Sequence, residues 1–192
     1  MNNTKAIDSI KQAIRVWLND GILTPCDLIK IADSYLYPEC LDITKDNLSK
    51  IKAGMFWYED NTVSEKLILQ KKLKSVVILI TNEEVLGDSF EQLEVVGADA
   101  EKYITEFECD CISKGQAYFL NFDEMIKIQK AKVFINSSLS LLGKQVWRGT
   151  YLTSTVDTSV YMRLVEFRSG VKHLATRTSC GMLRPVFRYR PE

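Results

Sequence analysis

The sequence predicts an α+β protein, because helical and strand-like patterns occupy different stretches of the chain. In the first fifty residues apolar side chains recur at helical spacing. A continuous apolar and β-branched run, SVVILIT over residues 75–81, is typical of a fully buried strand. Beyond residue 143, short apolar segments separated by turn residues favour strands.

Three helices are predicted within an N-terminal extension, residues 1–53. The first covers residues 4–19 and is amphipathic, the second covers residues 24–37, and the third covers residues 44–53. Gly54 would close the third helix, since glycine is favoured just beyond a helix end. We expect the apolar faces to pack against the rest of the protein. The alternative is an arm that binds another protein.

Two further helices are predicted in the middle of the chain. Residues 98–113 again place apolar side chains on one helical face. Asn121 and Glu124 then have the spacing of a capping box, in which each side chain accepts a hydrogen bond from the other residue's backbone amide. The helix that begins at this capping box is expected to reach Leu142 and to stop at Gly143.

Strands are predicted for the remainder of the chain. Residues 160–167 alternate apolar and polar side chains, and residues 168–170, Arg-Ser-Gly, form a turn of hairpin type. Residues 171–177 are the expected partner strand, and residues 183–189 are expected to form a last one.

The charge balance excludes some classes of partner. Lys+Arg and Asp+Glu both number 25, so the whole chain has no net field that favours nucleic acid or a membrane surface, and no nucleic-acid motif occurs. Residues 83–110 nevertheless hold ten acidic residues and one basic residue, and residues 150–192 hold seven basic and three acidic ones. We interpret both as solvated surfaces. A cation site in the first and an anion-tolerant face in the second are the alternatives.

Cysteine and histidine usage argues against metal and cofactor chemistry. Five cysteines cannot all pair within one chain, and Cys109-Asp-Cys111 lacks the CxxC spacing of zinc and redox motifs. His173 is the single histidine. We expect no metal and no cofactor. A nucleophilic pair of His173 and Cys180 would lack oxyanion donors, so we also expect no enzymatic activity.

Neither a secretion signal nor a membrane-spanning helix is predicted. The first residues have no apolar core of signal-peptide length, and no run of about eighteen apolar residues occurs. Free thiols favour a reducing compartment such as the cytoplasm.

An ordered series of motifs covers residues 54–190. An aromatic segment with a polar turn, FWYEDNTVS, precedes the apolar strand. The later motifs, in order, are GQAYFLNFDEM (115–125), INSSL (135–139), YLTST (151–155) and LRPV (183–186). This series resembles the bacterial C-type-lectin-like domains of the fibrobacter-type major paralogous (Fib-succ-major) group.

The resemblance implies a C-type-lectin-like domain over residues 54–192, with two helices packing on a twisted antiparallel sheet. Long irregular connections carry binding in such a fold, and WRGTYLTST, residues 147–155, would begin one. It also implies a location at the cell surface or outside the cell. The Glu-Pro-Asn and Trp-Asn-Asp signatures of calcium-dependent lectins are missing, so we expect no calcium-dependent sugar binding.

These observations predict a ligand-binding module that presents a loop surface to a protein or a glycan. The alternatives are a structural or assembly subunit that packs against a partner protein, and a target-binding variable protein of a diversity-generating retroelement, which shares the implied fold. Tyr151, Thr153 and Ser154 have a second interpretation, which the resemblance favours, as side chains that pack and bond in the interior. The candidate ligand-binding residues are Trp147, Arg148, Tyr151, Thr153, Asp157, Thr158, Tyr161 and Arg163.

Overall fold

The computed structural model describes residues 39–95, 120–156, 161–176 and 180–192, together with the helical residues Gln12 and Arg15. The elements in chain order are β1 (Leu41–Asp42), a 3-10 helix η1 (Lys45–Lys50), β2 (Phe56–Tyr58), β3 (Thr62–Ser64), β4 (Leu73–Ile80), β5 (Val85–Asp88), β6 (Leu93–Val95), α1 (Phe122–Leu141), β7 (Thr150–Val156), β8 (Tyr161–Glu166), β9 (Lys172–Thr176), β10 (Gly181–Leu183) and β11 (Val186–Tyr189).

The strands form two sheets. The larger sheet has six strands in the order β1-β3-β2-β4-β5-β11, and all its neighbours are antiparallel. The smaller sheet has five strands in the order β6-β10-β7-β8-β9. Its strands are antiparallel except for β10 and β7, which run parallel where Met182 pairs with Tyr151. The chain crosses from the smaller to the larger sheet between β10 and β11.

This architecture corrects the predicted fold class. The expected α+β, C-type-lectin-like arrangement of two helices on one twisted antiparallel sheet is wrong, because the described residues form two sheets and one long α-helix of 20 residues. The helix predicted over residues 98–113 lies outside the described residues. The predicted helix over residues 24–37 also lies outside the described residues. Of the predicted helix over residues 4–19, the structure describes Gln12 and Arg15, which are helical.

The last predicted strand is divided between the two sheets. Residues 183–189 were expected to form one strand, but the chain leaves the smaller sheet after Leu183 and enters the larger sheet at Val186. Pro185 has no backbone N–H and cannot continue a ladder of hydrogen bonds, so the break falls at Arg184-Pro185. The hairpin prediction is confirmed, since β8 pairs with β9 and Gly170 turns the chain with a φ of 76°.

Strand β4 is buried on both faces, as its continuous apolar run predicts. Val76 and Ile78 belong to the main core, which also contains the apolar side chains of α1. Val77, which lies between them in the strand, belongs to a second cluster on the opposite face of the larger sheet. Alternate side chains of a strand point to opposite faces, so an apolar residue is needed at every position where both faces are covered.

The second cluster is built partly from residues 41–51, which the sequence assigned to the N-terminal extension. The helix predicted over residues 44–53 is a six-residue 3-10 helix, and the Thr44 side chain makes no capping bond. Leu48 and Ile51 are buried against Trp57 and its neighbours. This segment therefore covers one face of the larger sheet.

Helix α1 covers the other face of the larger sheet, and its predicted capping box is confirmed. The Glu124 amide donates to Asn121 Oδ1 at 2.9 Å, and the Asn121 amide donates to Glu124 Oε2 at 2.8 Å. Glu124 also accepts from Arg188 of β11 at 2.9 Å, which ties the start of α1 to the larger sheet. Among the described residues, no helix combines the length and apolarity needed to cross a membrane.

Replacing Asn121 with Ala should destabilise the protein by about 0.5–2 kcal/mol, because the Glu124 amide loses its acceptor. Glu124→Ala should cost at least as much, since it removes both the Asn121 amide's acceptor and the Arg188 ion pair. Chemical denaturation measures both effects. Asn82→Ala, at an exposed turn position, is the control and should stay within about 0.5 kcal/mol of the parent. Equal stabilities for all three variants would contradict the capping assignment.

Candidate functional site

A buried ion pair lies where the two sheets meet. Asp88 is the last residue of β5, and Arg184 lies between β10 and β11. Arg184 Nε donates to Asp88 Oδ2 at 2.9 Å, and Arg184 Nη2 donates to Oδ1 at 3.2 Å. Both side chains are fully buried, so the pair is shielded from solvent and from salt.

The remaining acceptor capacity of Asp88 is used by two further donors. Trp147 Nε1 donates to Asp88 Oδ2 at 2.6 Å, and the Phe90 amide donates to Oδ1 at 2.6 Å. Burial raises the pKa of the Asp88 carboxyl, while the Arg184 guanidinium, the Phe90 amide and the Trp147 indole act to lower it. All four hydrogen bonds favour the ionised carboxylate, because an added proton would displace one of them.

Arg184 extends this network towards the surface. Nη2 also donates to the Gln145 carbonyl at 2.6 Å, and Nη1 lies 3.3 Å from Gln92 Oε1. The same Gln92 oxygen accepts from the Tyr151 hydroxyl at 3.0 Å. The guanidinium stacks 4.8 Å from the centre of the Trp147 ring, a favourable cation–π contact for a desolvated charge.

Three aromatic rings pack against one another in the core beside this network. Trp147 stacks on Phe167 with ring centres 5.0 Å apart, and Tyr151 contacts both rings at 4.8 and 4.9 Å. Trp147 and Tyr151 are 2% and 0% exposed. The structure therefore brings two of the sequence-predicted site residues together, but it places them in the interior.

The segment WRGTYLTST is not an irregular connection. Residues 150–156 form β7, which lies between β10 and β8 in the smaller sheet. Thr153 is 2% exposed, and its hydroxyl donates to the Arg163 carbonyl at 2.8 Å. Tyr151 and Thr153 thus pack and bond in the interior, as their second interpretation predicted, whereas Ser154, for which the same was predicted, is exposed.

The remaining candidate residues are scattered. Arg148 is exposed, and Tyr161 is exposed at the start of β8. Arg163 is half-buried, with its guanidinium 5.2 Å from the centre of the Phe122 ring. Asp157 and Thr158 lie outside the described residues. Arg148 is exposed and borders a cleft, which makes it the strongest of the candidates that the structure describes.

This cleft, which we call the arginine cleft, lies between α1 and the smaller sheet and has a volume of about 530 Å³. Arg148 and Arg168 stand on its walls, and Trp147, Phe167, Val133 and Met182 give it an apolar lining. Arg168 was not among the predicted site residues, because its position indicated only a hairpin turn. The local excess of basic residues in 150–192 was the signal that could have identified it.

Two side chains of α1 fix the walls of the arginine cleft. Asn136 bonds both backbone groups of Trp147, donating from Nδ2 to the carbonyl at 3.0 Å and accepting from the amide at 2.8 Å. One turn earlier, Lys132 Nζ donates to the carbonyls of Phe167 and Arg168 at 2.5 and 3.0 Å. Both arginine-bearing segments are therefore held against the same helix.

The arginine cleft carries positive charge that no ion pair within the described residues neutralises. Within the described part of the chain, the guanidinium groups of Arg148 and Arg168 have no ion-pair partner, and both residues are exposed. Glu166, the acidic residue of the lining, accepts a hydrogen bond from the Ser169 hydroxyl. The described residues contain no group of three or more His, Cys, Asp or Glu side chains that could hold a metal ion.

No protein-family model matches this chain, and no curated protein matches it either. Its function is therefore inferred from the geometry of the cleft.

The adjacent residues Trp147 and Arg148 should respond oppositely to substitution by Ala. Trp147→Ala should cost about 3–5 kcal/mol, because it leaves a cavity in the core and removes the indole donor to Asp88. Arg148→Ala should leave the free energy of unfolding within about 0.5 kcal/mol of the parent's, since the Arg148 side chain is in solvent. Thermal and denaturant unfolding compare the two. An Arg148 variant as unstable as the Trp147 variant would show that Arg148 belongs to the core.

Proposed function

We propose that this protein is a non-enzymatic binding module that takes an anionic partner, a protein or a glycan, in the arginine cleft. The observation that carries the proposal is the presence of two exposed guanidinium groups without ion-pair partners, in the described residues, on the walls of a cleft with apolar lining. A guanidinium offers two parallel N–H donors that match a carboxylate, sulfate or phosphate group.

The rigidity of the cleft supports this proposal. Asn136 and Lys132 hold the Trp147–Arg148 and Phe167–Arg168 segments against α1 through four hydrogen bonds. A site whose walls are already ordered loses less conformational entropy when a ligand binds. Arg148 and Arg168 can therefore contribute their charge without first reorganising the backbone.

A structural or assembly subunit is the second candidate. Val133 and Phe134 on the outer side of α1 are 65% and 67% exposed, and side chains of this kind are common in the centres of protein–protein contacts. A permanent partner would bury them. This candidate predicts a stable complex at all salt concentrations, whereas a cleft that binds through two arginines predicts binding that weakens with salt.

Binding to a panel of acidic peptides and sulfated oligosaccharides tests the proposal. For the panel member that the parent protein binds most tightly, Arg148→Gln and Arg168→Gln should each weaken binding about tenfold, because each removes a charge-assisted hydrogen bond. Arg190→Gln removes the same charge just beyond the end of β11, where the side chain is 71% exposed and pairs with Glu84; it is the control and should bind like the parent. Fluorescence anisotropy gives the affinities. Equal binding by all three variants would contradict the proposal.

A further inference from the structure

Helix α1 carries an exposed apolar ridge. Val133, Phe134 and Leu141 are 65%, 67% and 51% exposed, although they belong to a helix whose other side fills the main core. Two lysines of the same helix, Lys127 and Lys130, are also exposed. Exposed apolar side chains that lie next to one another are typical of surfaces that contact another molecule.

A second cleft, the lysine cleft, lies on the side of the ridge away from the arginine cleft. It has a volume of about 710 Å³, and Phe134 forms part of its wall. Leu48, Ile51, Ala53 and Ile80 give it an apolar lining. Among the described residues, its charged side chains are those of Lys45 and Lys52, and no acidic residue lines it.

The backbone of Phe134, which lines the lysine cleft, is held in place by a close contact with Gly54. A side chain added at Gly54 would lie 2.9 Å from the Phe134 carbonyl oxygen, so glycine permits a close approach of the two backbones. The Ser138 hydroxyl donates to the Gly54 carbonyl and fastens the same contact one turn later. The backbone at Phe134, from which the aromatic ring projects, is thus positioned by the fold before any partner binds.

The charges around the ridge are mostly positive. Lys45 has no ion-pair partner among the described residues, and the pair between Lys52 and Glu65 is 70% and 64% exposed, so a ligand can replace it at small cost. On the opposite side of the ridge stand Arg148 and Arg168. An acidic partner would be attracted to both sides.

We propose that the α1 ridge and its two flanking clefts form one docking surface for an acidic segment of another protein. This inference rests on the proposed function and specifies the partner as a protein. A bulky apolar side chain of the segment packs on Phe134 and enters the lysine cleft. Carboxylates on either side of it meet Lys45 and the arginine cleft.

The apolar content of the surface favours a polypeptide over a glycan. Five of the ten residues that line the lysine cleft are apolar and offer no hydrogen bonds to sugar hydroxyl groups, whereas three, Ser49, Thr81 and Asn82, have neutral polar side chains. A peptide supplies apolar anchors and carboxylates together, and such anchors carry most of the binding energy in protein–protein contacts. The basic residues then add orientation and a faster association.

The test uses the full chain and short synthetic peptides in which Asp and Glu flank a central Leu, Phe or Trp. A matched peptide has Ser at the centre, and a sulfated oligosaccharide represents glycans. The peptides with an apolar centre should bind most tightly. Phe134→Ala should weaken their binding about tenfold, and Lys45→Gln should reduce both the affinity and its dependence on salt.

Leu174→Ala is the control for Phe134→Ala, because Leu174 is an apolar side chain on β9 that is 60% exposed. It should bind like the parent. Binding that is lost in Arg148→Gln but unchanged in Phe134→Ala and Lys45→Gln would overturn the docking surface and leave the proposed function standing. Binding of the oligosaccharide alone would overturn the protein partner. Binding of neither kind of probe would overturn both proposals.

Discussion

The buried ion pair between Asp88 and Arg184 is the contact on which the arrangement of the two sheets depends. Asp88 belongs to the larger sheet, and Arg184 is the residue at which the chain passes from the smaller sheet to the larger one. Two charges without solvent are tolerated only where every donor and acceptor is satisfied. Trp147, Phe90 and Gln92 complete these bonds. We infer that the pair selects one packing of the sheets, since any displacement would leave a buried charge without its partner.

Helix α1 connects this core to the surface. Its buried side completes the main cluster, while Lys132 and Asn136 at the edge of that side hold the two arginine-bearing segments. Val133 and Phe134 lie between these positions and face outward. The geometry of the arginine cleft therefore follows from the same helix position that fills the core. The anionic partner would bind to a surface that folding has already shaped.

Features encoded by neighbouring residues could be predicted from the sequence, whereas the pairing of distant residues could not. The capping box of Asn121 and Glu124 needs only four consecutive residues, and the buried strand β4 needs only its apolar run. Trp147 was predicted to lie at the surface because no local pattern shows that Asp88, 59 residues earlier, provides its indole with an acceptor. Pro185 is a local signal for the break in the last strand, but the placement of the two halves in different sheets depends on their pairing with β6 and β7 and with β5.

A double-mutant cycle on the buried pair tests this account most directly. Asp88→Asn and Arg184→Met should each lower the free energy of unfolding by about 3–5 kcal/mol, because each leaves the network around the other residue incomplete. The double variant should cost at least 1 kcal/mol less than the sum of the two, since it leaves no unpaired charge in the core. Single substitutions that each cost under about 1 kcal/mol and add without coupling would contradict the claim that this pair joins the sheets.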